Sequence, residues 1–173
     1  ANNADRFQLS ASLIRNTGSD AVHATGADSA EIVNNDIENS GVLFAPDGRI
    51  SNMPLPNYGS IHVQNNALVQ GNRVVNSAYI GITAKNDSQV NQNAVKGYCF
   101  LLSDCGGIYL GAAKNTTISG NLVSGGAGNR QGIPKALQTL VDGVYLDGGN
   151  SAVTVADNIL AGGDYGVQTH NGN

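Results

Sequence analysis

Charge is scarce in this chain of 173 residues: Lys, Arg, Asp and Glu together make up 13%, and aromatic residues only 5%. The nine Lys and Arg residues are scattered and the net charge is −4, so there is no basic patch and nucleic acid is not an expected partner. No apolar run is long enough to span a membrane. The chain opens Ala1-Asn2-Asn3 without a charged and apolar leader, as expected of a mature exported chain or an excised fragment. Cysteine is limited to Cys99 and Cys105. Either a disulfide pins the segment between them, which would suit an oxidising compartment, or both are thiols; spacing alone does not choose. Two Cys without clustered His do not suggest a metal centre. Also missing are a Gly-x-Ser-x-Gly nucleophile elbow, a phosphate-binding Gly-rich loop and zinc-ligand spacing. Gly125-Gly126-Ala127-Gly128 follows no strand of a βαβ unit and reads as a flexible loop.

Glycine, at 23 residues, is plentiful, and so is a repeated phrase: an aliphatic, two residues, a small amide or hydroxyl residue, one residue, another aliphatic. It occurs as Leu9–Ser12–Ile14, Ile32–Asn35–Ile37, Val69–Asn72–Val74, Val90–Asn93–Val95, Ile118–Asn121–Val123 and Val155–Asn158–Leu160. The middle residues are 23, 37, 21, 28 and 37 positions apart, so 21 is the basic unit and longer intervals carry inserts. A second phrase follows each first one: Val22-His23-Ala24, Ile61-His62-Val63, Ile82-Thr83-Ala84, Ile108-Tyr109-Leu110, Val144-Tyr145-Leu146 and Val167-Gln168-Thr169. Its period-two alternation predicts short, half-buried strands. Asn16-Thr17-Gly18, Asn39-Ser40-Gly41, Lys85-Asn86-Asp87, Gly148-Gly149-Asn150 and Asn171-Gly172 supply corners, because Asn and Gly tolerate left-handed backbone. A coil that cannot bury its own apolar side chains must stack on others. The fold expected is all-β: a right-handed parallel β-helix of about six coils forming one domain over residues 1–173. Stacked coils lie about 4.8 Å apart, so the recurring Asn side chains should bond one another up the stack as a structural ladder.

Thr117-Ile118-Ser119-Gly120-Asn121-Leu122-Val123 and Gly107-Ile108-Tyr109-Leu110 resemble the repeats of the pectate-lyase-like superfamily of parallel β-helix proteins. The resemblance spans nearly the whole chain. It implies the β-helix fold and a carbohydrate-active protein, but no single chemistry, since the superfamily includes lyases, hydrolases, epimerases and phage tailspikes.

Solenoid ends expose strand edges and apolar side chains. No amphipathic capping helix is visible at either end, and the last coil stops at His170-Asn171-Gly172-Asn173. The chain is therefore expected to be a segment of a longer β-helix, or to have its ends covered by another chain.

Function is sought in the inserts, roughly Val42–Tyr58, Tyr98–Cys105 and Ser124–Asp142, since loops on a rigid scaffold carry function more often than the scaffold does. All three fall between an Asn phrase and the following second phrase, so they should wall one edge of one sheet and make a groove suited to an extended polymer. The outward column of that sheet is His23, His62, Thr83, Tyr109, Tyr145 and Gln168; two residues further on lie Thr25, Gln64, Lys85, Gly111, Asp147 and His170. With neighbours in a column about 5 Å apart and alternate residues about 6.6 Å apart, Tyr109, Tyr145, Asp147 and His170 should cluster. Bland readings stand beside functional ones. The tyrosines make a surface stack or a sugar platform; Asp147 is a turn residue or an acid–base group; Lys85, His62, His23, Asp104 and Asp142 are solvated or functional.

The expected function is that of a carbohydrate-active enzyme on a polysaccharide, acting by elimination, epimerisation or hydrolysis. The alternative is a non-catalytic glycan-binding, adhesive or structural β-helix. The expected catalytic set is Asp147 and His170 as the acid–base pair, Tyr145, with Tyr109, as proton donor or sugar platform, and Lys85 as charge neutraliser; Tyr109, His62, Gln168 and Arg130 are expected to bind substrate. Hydrolysis needs two carboxyl groups, about 5–5.5 Å apart if retaining and about 6.5–9.5 Å if inverting, and Asp104, Asp142 or Asp164 would have to join Asp147. No cofactor is expected: the columns lack the acidic cluster that a tight Ca²⁺ site needs. A secreted, periplasmic or cell-surface location is expected.

Overall fold

The computed structural model describes residues 6–42, 58–128 and 140–170. Among these no α-helix occurs, and eighteen short strands, numbered in chain order, form three parallel sheets of six. The first sheet holds β1 (Phe7–Ser10), β4 (Ala30–Val33), β7 (Leu68–Gln70), β10 (Gln89–Asn91), β13 (Thr117–Ser119) and β16 (Thr154–Ala156). The second holds β2 (Leu13–Arg15), β5 (Asp36–Ser40), β8 (Arg73–Ser77), β11 (Ala94–Lys96), β14 (Leu122–Ser124) and β17 (Ile159–Ala161). The third holds β3 (Val22–Ala24), β6 (Ile61–Val63), β9 (Ile82–Ala84), β12 (Cys105–Gly111), β15 (Val141–Asp147) and β18 (Tyr165–Thr169). Every strand pairs with the one three places on, so each circuit of the three sheets advances the chain by one coil. This is the parallel β-solenoid of about six coils that the repeat predicts.

The register stacks like on like. In the first sheet Leu9, Ile32, Val69, Val90, Ile118 and Val155 are successive partners. In the third, Ile61, Ile82, Ile108 and Val144 follow one another, all within 1% of complete burial. Apolar side chains from three sheets thus meet in one continuous column, which no coil could bury alone.

Corners are made by left-handed residues in register. Between the first and second sheets Ala11, Asn34, Gly71, Gln92, Gly120 and Asp157 have φ between 48° and 66°. The next residue in each coil is Ser12 or a ladder Asn. Asn35 Nδ2 donates to Asn72 Oδ1 at 2.9 Å, Asn72 to Asn93 at 3.0 Å, Asn93 to Asn121 at 3.0 Å and Asn121 to Asn158 at 2.9 Å. Each of these oxygens also accepts the backbone N–H of the residue one coil below, at 2.9–3.0 Å. The expected ladder is therefore present, and its carboxamides bond the backbone as well as one another. At the second corner Asn16, Asn39 and Asn76 form a shorter amide stack, with both bonds at 3.1 Å.

A further regularity lies at the start of the third sheet's strands or just before them. Gly59, Gly81, Gly107 and Gly143 approach their neighbours too closely for a side chain. A Cβ on Gly81 would lie 2.4 Å from the Gly107 carbonyl oxygen and 2.6 Å from Val95 Cγ1, and one on Gly143 would lie 2.6 Å from the Gly166 carbonyl oxygen. The obstacle is backbone, which cannot rotate away. Gly81→Ala is therefore expected to destabilise the protein by about 1–3 kcal/mol through overpacking, read as a lower urea midpoint at an unchanged slope.

Candidate functional site

The site is built on the outer face of the third sheet, where β12 and β15 are the longest strands at seven residues each. Pairing confirms the predicted column: His23 stands opposite His62, His62 opposite Thr83, Thr83 opposite Tyr109, Tyr109 opposite Tyr145 and Tyr145 opposite Gln168. The second column is also in register, with Gly111 opposite Asp147 inside the ladder, and the His170 N–H continues it by donating to the Leu146 carbonyl at 2.9 Å.

Four of the predicted residues come together here. The Tyr109 hydroxyl donates to Asp147 Oδ2 at 2.7 Å, and the Gly148 N–H donates to Asp147 Oδ1 at 2.8 Å. His170 Nδ1 lies 3.2 Å from Asp147 Oδ1 and 3.4 Å from the Tyr145 hydroxyl. The Tyr109 and Tyr145 rings meet edge to face with centroids 5.5 Å apart, a favoured aromatic geometry. Asp147, the last residue of β15, is thus the hub of the cluster. Gly111 makes the reach from Tyr109 possible: a Cβ there would stand 3.2 Å from the Tyr109 hydroxyl oxygen.

The electrostatics separate the groups. The donated hydrogen bond from Tyr109 holds the Asp147 carboxyl below the usual carboxylate range, helped by Gly148 and His170. Burial, then the charges of Asp104 and Asp147, push the Tyr145 phenol up to about 12, so at neutral pH it is a proton donor. Burial and the bond to Asp147 push Tyr109 higher still. Asp104, beside Cys105, is raised by partial enclosure and then by the negative charge of Asp147. The Cys99–Cys105 disulfide is formed, with the two Cα atoms 6.2 Å apart, and it anchors the segment that carries Asp104. Tyr79 grips the same segment, donating from its hydroxyl to the Asp104 carbonyl at 2.6 Å.

Lys85 lies half-buried in a depression of about 410 Å³ on this face, lined by His62, Gln64, Tyr79, Thr83 and Tyr109 as well. Among the described residues no carboxylate pairs with its ammonium. A larger depression of about 540 Å³ on the second sheet is lined by Arg73, Lys96, Asn76, Leu122 and smaller neighbours. Its Arg73 is already bonded to Asp36 at 2.5 Å and Glu38 at 2.6 Å.

Other expected residues stand elsewhere. Gln168 is half-buried and, with its amide oriented as hydrogen bonding requires, donates to Asp142 Oδ2 at 2.5 Å, so its amide is engaged by the protein. Asp142 is no loop residue: it sits within β15 with no exposed surface, and burial followed by the charge of Asp164 raises its carboxyl to about 6. Tyr98, expected to open an insert, is fully buried and donates from its hydroxyl to the Gly162 carbonyl at 3.3 Å. His62 is away from Asp147, and buried beside His23. Arg130 lies outside the described residues, as do most of the first and third inserts.

Sequence reasoning overlooked Asp20, which lies on the corner before β3 and reaches both His23 and His62. Its signal was its place three residues before His23, in a coil whose His column was already evident. No protein-family model matches this chain, and comparison with curated proteins and with solved structures returned no match.

Proposed function

We propose that this protein is a carbohydrate-active enzyme that binds an acidic polysaccharide along the third sheet and moves a proton at a sugar carbon beside the carboxylate, by elimination or epimerisation. The observation that carries this reading is the bonded set Tyr109–Asp147–His170–Tyr145 adjoining a depression that holds Lys85. If the His170 Nδ1–H donates to the Asp147 carboxylate, the basic lone pair resides on Nε2, as a general base requires. Tyr145, protonated at neutral pH, suits the role of acid. Lys85 supplies the positive charge that a sugar carboxylate needs before its neighbouring proton is acidic enough to leave. The resemblance of the repeats to the pectate-lyase-like superfamily agrees with an extended polysaccharide as substrate. The Cys99–Cys105 disulfide agrees with a secreted, periplasmic or cell-surface location.

One observation favours hydrolysis as a second reading. Asp147 is held low while Asp104 is raised, and two carboxyl groups with values driven apart are the usual division into anion and acid. A panel of uronate and neutral polysaccharides separates the alternatives. Elimination gives unsaturated products that absorb in the ultraviolet; epimerisation alters sugar configuration without new chain ends; hydrolysis gives reducing ends without absorbance. Binding with none of these products would leave a glycan-binding β-helix and overturn the catalytic assignment.

A further inference from the structure

At the opposite end of the same face, Asp20, His23 and His62 bring together three groups that bind metal ions. Asp20 Oδ2 is 2.8 Å from His23 Nδ1 and 3.6 Å from His62 Nδ1, and one ligand atom from each residue lies within 4.8 Å of the others. The cluster is assembled by the repeat: β3 and β6 pair with His23 directly opposite His62, and the two rings stand edge to face at 5.1 Å. Asp20 enters from the preceding corner with its side chain only 1% exposed.

Two features distinguish this cluster from an ordinary carboxylate–imidazole contact. First, His62 is 9% exposed and its Nδ1, buried and aimed toward Asp20, has no hydrogen-bond partner. At 3.6 Å the Asp20 oxygen is too far to be one. Leaving a buried polar atom so is unfavourable, and a shared cation would remove that penalty. Second, the outer partners that orient ligands are in place. The Gly59 N–H donates to Asp20 Oδ1 at 2.8 Å, leaving Oδ2 to face the imidazoles. The Thr25 hydroxyl lies 3.0 Å from His23 Nε2, fixing the ring with Nδ1 turned inward.

We propose that Asp20, His23 and His62 form a binding site for a divalent transition-metal ion of the zinc type. Two imidazole nitrogens and one carboxylate suit Zn²⁺ or Co²⁺ and not Ca²⁺ or Mg²⁺, which take oxygen ligands. At zinc–ligand distances of about 2.0–2.2 Å, the three donor atoms need shifts of only a few tenths of an ångström to about one ångström. Three protein ligands leave a fourth position open. His23 is half-exposed and His62 lines the Lys85 depression, so that position faces the groove, where a sugar carboxylate or hydroxyl could occupy it. The metal site stands on its own geometry and does not depend on the proposed reaction.

The test uses the full chain, stripped with a chelator and titrated with Zn²⁺, Co²⁺ and Ca²⁺ by calorimetry, with Co²⁺ visible absorption as a second readout. One Zn²⁺ or Co²⁺ is expected to bind, with a cobalt spectrum of low-coordinate type and a raised unfolding temperature, and Ca²⁺ should compete poorly. His23→Ala, at a half-exposed position that leaves the core intact, should weaken Zn²⁺ at least tenfold, as should Asp20→Asn. His170→Ala removes the only other histidine and should leave binding unchanged. No binding to the folded wild-type chain, binding unaffected by His23→Ala and Asp20→Asn, or loss in His170→Ala would each overturn the proposal.

Discussion

Asp147→Asn is expected to lower turnover by about 10²–10⁴-fold, the range for loss of a positioned acid–base group, with the fold preserved and KM changed far less. The argument is one of hydrogen-bond polarity. The Asp147 carboxylate accepts from Tyr109, from Gly148 and, in the productive tautomer, from His170. An amide has one accepting oxygen and a donating NH₂, so at least one of these contacts must reverse. Because Gly148 is backbone, cannot reverse and shares Oδ1 with His170, the amide keeps its oxygen there and turns its NH₂ toward Tyr109, whose hydroxyl must reverse from donor to acceptor. The neutral amide also no longer stabilises the imidazolium that forms when His170 takes up a proton, which is the part a buried carboxylate plays beside a catalytic histidine. Circular dichroism separates this from unfolding, and a D147N variant with wild-type turnover on a polysaccharide cleaved or epimerised by the wild-type chain would remove Asp147 from the mechanism.

The largest loss of stability is expected from Asn93→Ala, in the middle of the amide ladder. Asn93 Oδ1 accepts from both the backbone and the side chain of Asn72, at 2.9 and 3.0 Å, and its NH₂ donates to Asn121 Oδ1 at 3.0 Å and to the Val69 carbonyl at 2.9 Å. All of these atoms are buried, and the space an alanine leaves is small, so few of them regain a partner. At about 1–3 kcal/mol for each stranded group, a total cost of about 3–6 kcal/mol follows, a large part of the whole stability of an ordinary domain. Asn158→Ala, at the last rung, removes bonds to Asn121, Ile118 and Ala156 where burial is only partial, and should cost less. Urea denaturation of the two variants gives the comparison. Equal losses would mean that the rungs act independently of burial.

The solenoid was legible in the sequence because its cause is local and periodic. A ladder residue such as Asn93 has the same neighbours one coil away whatever the inserts do, so one phrase predicts the whole stack. The same logic placed Tyr109 beside Tyr145 and Asp147 beside His170, since register alone decides those contacts. What escaped was set by atoms off the lattice. Asp20 belongs to a corner, and its reach to His62 depends on how the chain turns before β3. Asp142 looked like the end of an insert, yet the pairing of β15 with β12 begins at Val141 and carries it into a strand. Gln168 occupies an outward position, as predicted, but the acid beside it claims its amide. The glycines where the third sheet's strands begin were readable and overlooked: their spacing follows the repeat, while their reason, a backbone oxygen one coil above, is purely tertiary.

The ladder has a consequence for how such a chain changes over generations. Its rungs are separated by 23, 37, 21, 28 and 37 residues along the chain, yet each is closed by bonds of 2.9–3.0 Å. The structure therefore counts coils and is indifferent to the length of chain between them, provided that the extra residues leave at the corner after the second sheet. Lengthening a loop there costs only about 0.6 kcal/mol per doubling. The first corner, two residues long between β1 and β2, has no such latitude. Variation is thereby channelled to the rim of the proposed groove, so that the recognition surface can diversify while the scaffold beneath it stays the same.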